Sequence, residues 1–182
     1  PEALAIRLSD RHFGVGGDGI IMIMPSEAAD FRMRMFNADG SEGKMCGNAT
    51  RCIGKYVYDR GLTDKTDITL ETLSGIKKLH LSVKDGAVET VSVDMGKAVL
   101  DAPKIPVLAK TPRVIGEPVH IAGGEPTITC VSMGNPHCVV FTDGIDDMPL
   151  GQIGPKFEND PIFPERVNAE FVEAVDANTL RM

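Results

Sequence analysis

Leu79-His80-Leu81-Ser82-Val83 alternates apolar and polar residues, meets Asp85-Gly86, and returns through Val91-Ser92-Val93-Asp94-Met95 in the same alternation. A period of two puts successive side chains on opposite faces, and Asp-Gly is a preferred hairpin turn. The pattern therefore demands an antiparallel sheet with one face buried and one wet. Other stretches repeat it. Ile20 to Met24 is a short apolar run stopped by Pro25, and Phe31-Arg32-Met33-Arg34-Met35 alternates apolar with charged. In the second half, Val119 and Ile121 lead to the Gly123-Gly124 turn, followed by Thr127 to Val131 and Cys138 to Phe141. Asn168 to Val175 reads as a strand, Asp176-Ala177-Asn178 as a turn, and Thr179 to Met182 as a strand just begun.

One long helical pattern interrupts these strands. Met45, Ala49, Cys52, Ile53, Tyr56 and Val57 recur at three- and four-residue spacing, and Gly61 is a natural stop, so a helix is predicted from Met45 to about Leu62. Cys52, on that stripe, is expected to point into the core. A second helix is predicted from Pro1 to about Arg11. Many strands around one long helix give an α+β chain, not an alternating βαβ one. Pro103 to Pro106 reads as a linker, which divides the chain into residues 1–104 and 105–182.

Composition bounds the function classes. A formal charge of −7 with only 5% aromatic residues argues against nucleic-acid binding. No apolar run approaches membrane-spanning length, and no signal peptide opens the chain. The four cysteines form neither a CxxC pair nor a dense framework, which favours a reducing cytoplasm.

Cys46 is the most chemically suggestive of them. The turn-rich run Asn37-Ala38-Asp39-Gly40-Ser41-Glu42-Gly43 delivers it to the start of the predicted helix, in its first turn and near unpaired backbone N–H groups. A helix N-terminus favours thiolate, the reactive form. Gly47 would let a ligand approach the backbone closely, and Asn37 and Asn48 could grip its polar groups. Burial as a small apolar residue is the competing account, at even odds for Cys46 and the better account for Cys52.

Gly14-Val15-Gly16-Gly17-Asp18-Gly19 satisfies the dinucleotide fingerprint G-x-G-x-x-G, but a helix precedes it and a strand follows, the reverse of what that fingerprint needs. A tight loop is the better account. His137-Cys138 has no second ligand pair at a usual spacing, so no metal site is expected. His12, His80 and His120 read as surface or structural residues, and Asp143 to Asp147 as a solvated turn. In Gly134-Asn135-Pro136-His137, Pro136 biases Asn135 away from helical geometry and would fix the direction of its amide. On the residues alone, a plain turn is favoured about two to one over a binding role.

The run around Cys46, together with Asp10 to Gly19, Ser132-Met133-Gly134-Asn135-Pro136-His137 and Phe163-Pro164-Glu165-Arg166-Val167-Asn168, resembles the diaminopimelate epimerase family, in the family's order. The resemblance implies two similar lobes, each a curved sheet or barrel around a helix, with the active site between them. It makes Cys46 one of two catalytic thiols and puts His137 near a catalytic thiol, tuning it. It makes Asn37, Gly47, Asn48, Asn135 and Asn168 substrate-binding residues. Gly19 stands where some members have a substrate-contacting Gln. The family's first strand and its second catalytic cysteine, with the helix that follows, match nothing here, so the chain reads as a piece of a longer protein whose second lobe is incomplete. The implied activity is cofactor-independent interconversion of LL- and meso-diaminopimelate by paired thiol and thiolate, in lysine and peptidoglycan-precursor synthesis. This 182-residue piece is itself expected to be inactive. The substrate is a small molecule, no nucleic acid or membrane is involved, and a homodimer is compatible with the sequence. The alternatives are another isomerase of the same fold, such as a proline racemase, or a non-enzymatic fragment.

Overall fold

The computed structural model describes all residues from Pro1 to Met182, as two compact units, Pro1–Met95 and Gly96–Met182. The division falls earlier than the expected 104. Ala102–Lys104 forms a short 3-10 turn, and Ala102, Ile105 and Val107 are buried in the core of the second unit. The segment read as a linker is thus a packed element, and its prolines shape a turn inside a domain.

In the first unit, helix α1 (Glu2–Ser9) is followed by strands β1 (Gly19–Met24), β2 (Phe31–Asn37) and the short β3 (Glu42–Gly43), then helix α2 (Gly47–Asp59), β4 (Asp67–Thr72), β5 (Gly75–Lys84) and β6 (Ala87–Asp94). The sheet order is β1-β2-β4-β5-β6, with β3 on β2. The Asp85-Gly86 turn is present, both residues having positive φ (52° and 81°), as the mirror-image hairpin turn requires. β2 pairs parallel to β4 through Phe31 and Arg32, and antiparallel to β3 through Met35 and Phe36. Arg34 holds β3 with a two-pronged bond to Glu42, at 2.7 and 2.9 Å.

α2 packs its Ala49, Ile53 and Val57 against Met33, Ile68, Leu70, Leu79, Leu81 and Val88. The buried face runs through Ala49, Thr50, Ile53, Gly54 and Val57, rotated from the predicted stripe. Cys52 and Tyr56 are exposed, so the expectation that Cys52 points into the core is wrong. The reason lies at Gly54. A Cβ there would come within 2.9 Å of Leu81 Cδ2 and 3.1 Å of Leu79 Cδ2, so the helix seats on the sheet along its smallest residue. A hydrophobicity pattern does not score a glycine as a contact surface.

The glycine loop after α1 spends its N–H groups on that helix. Val15 and Gly16 N–H both bond Leu8 O, Gly17 N–H bonds Ser9 O, and Gly14 N–H bonds Asp10 O. A Cβ at Gly14 would lie 2.3 Å from Arg7 O. The loop is a helix C-terminal cap, with no cradle for phosphate.

The second unit contains β7 (Glu117–Pro118), β8 (Thr127–Ser132), β9 (Pro136–Phe141), α3 (Leu150–Glu158), β10 (Asn168–Asp176) and β11 (Thr179–Arg181), in sheet order β11-β10-β9-β8-β7. β9 and β10 run parallel, and α3 is the crossover between them. Phe157 of α3 meets Phe171 of β10 edge to face, ring centroids 5.2 Å apart. The Asp176 to Asn178 turn returns β10 into β11, as the sequence suggested. Strand β4 and helix α3 had no sequence reading. Gly151, Gly154 and Pro155 inside α3 hide its helical pattern. No helix is long and apolar enough to cross a membrane.

Candidate active site

The sequence-predicted residues fall on both units, and each set is built locally. In the first unit, the turn after β2 is closed by Asn37. Its backbone N–H donates to Ser41 O at 2.8 Å, and its side-chain NH2 donates to Ser41 Oγ at 3.0 Å. Gly40, at φ 85°, permits the tight bend, and its N–H bonds Asn37 O. Asn37 is thereby held at the strand end, exposed, with its Oδ1 outside this network.

Cys46 is the residue before α2, not a residue of its first turn. Its backbone is extended (φ −138°, ψ 113°), which leaves it as the cap. Its Sγ accepts the Ala49 N–H at 3.4 Å, and its carbonyl takes both Thr50 N–H and Thr50 Oγ1–H. The sulfur thus occupies the place where a Ser or Asp oxygen usually caps a helix, facing N–H dipoles and half-buried. No acidic residue stands in the first turn to oppose a negative charge there. Gly47 follows, and a Cβ at its position would meet only Met95 Cε, at 3.9 Å. Packing within the unit therefore does not demand glycine. Asn48 is exposed, with its Oδ1 held by Arg51.

In the second unit, β8 and β9 join through Met133-Gly134-Asn135, with Ser132 opposite Pro136. Gly134 takes φ 112°, and its N–H bonds Ser132 Oγ at 3.2 Å. Pro136 opens β9, a place where a missing N–H costs no ladder bond. His137 follows, and its register partner on β10 is Asn168. Asn168 Nδ2 donates to Pro136 O at 2.9 Å, fastening the two strand starts together. His137 Nε2 lies 3.1 Å from Asn135 Oδ1, and Nδ1 lies 2.5 Å from Glu170 Oε1. Asn135, His137 and Asn168 are therefore one cluster. Glu170, which completes it, was absent from the sequence reading. It lies 33 positions from His137, and only strand pairing reveals it.

The remaining cysteines are placed for packing or left in solvent. Cys130 and Cys138 face each other across β8 and β9, both fully buried. The hydrogen bond to Cys130, then burial, hold the Cys138 thiol up in its neutral form, and the nearby Glu170 carboxylate adds to this. Cys52 lies on the exposed face of α2. Cys46 alone among the four combines partial exposure with a backbone N–H on its sulfur.

Comparison with known proteins bears on both clusters. The sequence model of a family described as diaminopimelate epimerase matches residues 1–100 and 129–182, which include every residue of the two sets. A diaminopimelate epimerase of Acetivibrio thermocellus is 57% identical over 182 residues, covering 100% of this chain and 65% of the relative. One from Methanococcus maripaludis (strain S2/LL) is 51% identical, covering 100% of this chain and 66% of the relative. The chain thus spans just under two thirds of the length of these relatives. Among solved structures, a probable proline racemase from Agrobacterium radiobacter K84 superposes with a TM-score of 0.55 at 20% identity, covering 87% of this chain and 42% of that one. A hydroxyproline epimerase from Agrobacterium vitis gives 0.53 at 19%, with the same coverage. These structural likenesses establish the α+β fold of curled sheets, and the family match over most of the sequence goes further: this chain belongs to the diaminopimelate epimerase family.

Proposed function

We propose that the intact protein interconverts LL- and meso-diaminopimelate with no cofactor, in lysine and peptidoglycan-precursor synthesis in the cytoplasm, and that Cys46 is one of its two acid/base groups. The observation that carries the reading is the Cys46 cap: in a member of this family, a half-buried sulfur stands at the start of a helix and accepts a backbone N–H of its first turn. As thiolate, Cys46 takes the α-proton. The C–H electron pair moves toward the substrate carboxylate, and an opposed thiol returns a proton to the other face. We assign that second thiol to none of the other cysteines, since Cys130 and Cys138 are buried and Cys52 lies on the far side of α2 from the packed sheet.

Asn37, Gly47 and Asn48 on the first unit, and Asn135 and Asn168 on the second, are the proposed substrate-binding residues. Their amides recognise ammonium and carboxylate groups without adding net charge. The bare backbone of Gly47, which no packing in its unit requires, suits close approach of a carboxylate to the α2 N-terminus. His137 is the proposed catalytic partner on the second unit.

The test is chiral chromatography of LL-diaminopimelate incubated with the intact protein. The expected result is meso product, lost in Cys46→Ala and kept in Cys52→Ala. The 182-residue chain alone is expected to form none. Full turnover by Cys46→Ala would remove Cys46 from the mechanism, and turnover by the 182-residue chain would remove the need for a thiol beyond the four it contains.

A further inference from the structure

Glu170 belongs to none of the motifs that point to the family's chemistry, yet the fold brings it into the Asn135–His137–Asn168 cluster. Asn168 is the register partner of His137 on the parallel strands β9 and β10, and Glu170, two residues on, shares the face of Asn168. Its Oε1 lies 2.5 Å from His137 Nδ1. Its Oε2 is buried with no hydrogen-bond partner. A carboxylate with one orphaned buried oxygen is costly, so packing alone is a poor reason to find it on a half-buried strand.

The donor and acceptor inventory then propagates. An ionised carboxylate only accepts, so His137 Nδ1 must carry a proton. His137 Nε2, on the other side of the ring, lies 3.1 Å from Asn135 Oδ1. If Nε2 also carries a proton, it donates to Oδ1 and the Asn135 NH2 is left for a ligand. If Nε2 is bare, the amide turns its NH2 inward and leaves Oδ1 outward. In both states the end of Asn135 offered to a ligand is set by the proton count on a ring that Glu170 orients. We propose that Glu170 is a positioning residue: it holds His137 with Nδ1 protonated and, through the ring, sets the direction of the Asn135 amide. This rests on the reading of Asn135 and His137 as substrate-side residues.

Nitrogen NMR of the His137 ring in the 182-residue chain reads the pairing directly. In the neutral form of the ring, the wild type is expected to show the Nδ1–H tautomer, which free imidazole side chains disfavour. Glu170→Gln keeps a carbonyl acceptor and should retain that tautomer, whereas Glu170→Ala should move the proton to Nε2. An Nε2–H tautomer in the wild type overturns the proposal with no variant needed. In the intact protein, Glu170→Ala is expected to raise KM for LL-diaminopimelate about tenfold, the scale of one lost hydrogen bond, with a smaller change in kcat. Glu170→Gln should recover most of that loss. A KM for Glu170→Ala equal to wild type would make the contact merely structural and overturn the proposal. An Nδ1–H tautomer in a protein that forms no meso product would support the Glu170–His137–Asn135 chain and overturn only the functional reading.

Discussion

Each unit contains one parallel strand pair bridged by a helix, and the two crossovers are built on opposite terms. In the first, β2 and β4 share only Phe31↔Leu70 and Arg32↔Glu71, and the helix between them is long and closely seated. In the second, β9 and β10 share the continuous register from Asn168↔His137 to Val172↔Phe141, and the helix between them is short. α3 starts at Pro149 with no side-chain cap and contains Gly151, Gly154 and Pro155. The chemistry-bearing residues follow that difference. The first unit places its thiol at the start of the crossover helix, and the second places its polar cluster at the starts of the crossover strands. The proposed site residues thus sit on different parts of the two crossovers, Cys46, Gly47 and Asn48 at the helix start of the first and Asn135, His137 and Asn168 at or beside the strand starts of the second, with Asn37 at the end of β2.

The largest expected effect tests how closely α2 is seated. Gly54→Val would push branched carbons into Leu79 and Leu81, whose methyls already lie 3.1 and 2.9 Å from a bare Cβ. It should cost the first unit about 3 kcal/mol, seen as a lower unfolding midpoint. A loss below about 0.5 kcal/mol would mean that the helix floats on its sheet.

The short β2/β4 pairing should depend on side chains, and Asp30 supplies them. Its Oδ2 accepts Thr69 N–H at 2.8 Å and Thr69 Oγ1–H at 2.7 Å, and its Oδ1 takes Lys65 Nζ at 2.6 Å. Asp30→Ala is expected to cost about 2 kcal/mol, with faster amide exchange in β4 than in β10. The bonds to Lys65 and then Thr69 lower the Asp30 pKa from 3.8 to about 2. A depressed carboxylate stabilises above its unfolded value, and that contribution is lost as pH falls. The gap between wild type and Asp30→Asn should therefore be constant above about pH 4 and close between there and about pH 2. A gap independent of pH through that window would place the stabilisation elsewhere.

Cys46→Ser separates function from stability at the same atom. A hydroxyl caps a helix better than a thiol, so α2 should gain about 0.5–1 kcal/mol while the epimerase activity proposed for the intact protein is lost. A variant both active and more stable would show that the sulfur serves only as a cap. Alkylation mapping complements this: Cys46 and Cys52 should react, while the buried Cys130 and Cys138 stay protected until unfolding. If Cys52 labels faster than Cys46, the helix N–H gives the thiol no advantage.

The smallest effect lies in the weak crossover helix. A Cβ at Gly151 has nothing within 4 Å. Gly151→Ala should therefore stabilise the second unit by about 0.5 kcal/mol, by helix propensity alone. The sign is opposite to that at Gly54, though both residues are helical glycines. A destabilised Gly151→Ala would mean that α3 is as tightly seated as α2.

Some of this was determined along the chain itself. The Asp85-Gly86 hairpin, the turn that closes on Asn37 and the arrival of Cys46 at a helix start all depend on residues within a few positions of one another, so periodicity and turn chemistry sufficed. Other features were decided by partners far away in sequence. The seating of α2 on Gly54 needed Leu79 and Leu81 in place, which turned Cys52 to solvent. Ala102, Ile105 and Val107 became core because the sheet of the second unit offered them cover. α3 forms despite its glycines because Phe157 finds Phe171 on β10. Glu170 reaches His137 only through the parallel register of β9 and β10. Local geometry costs entropy over a few residues and is written in them, whereas burial and pairing are properties of two surfaces at once, and neither surface carries them alone.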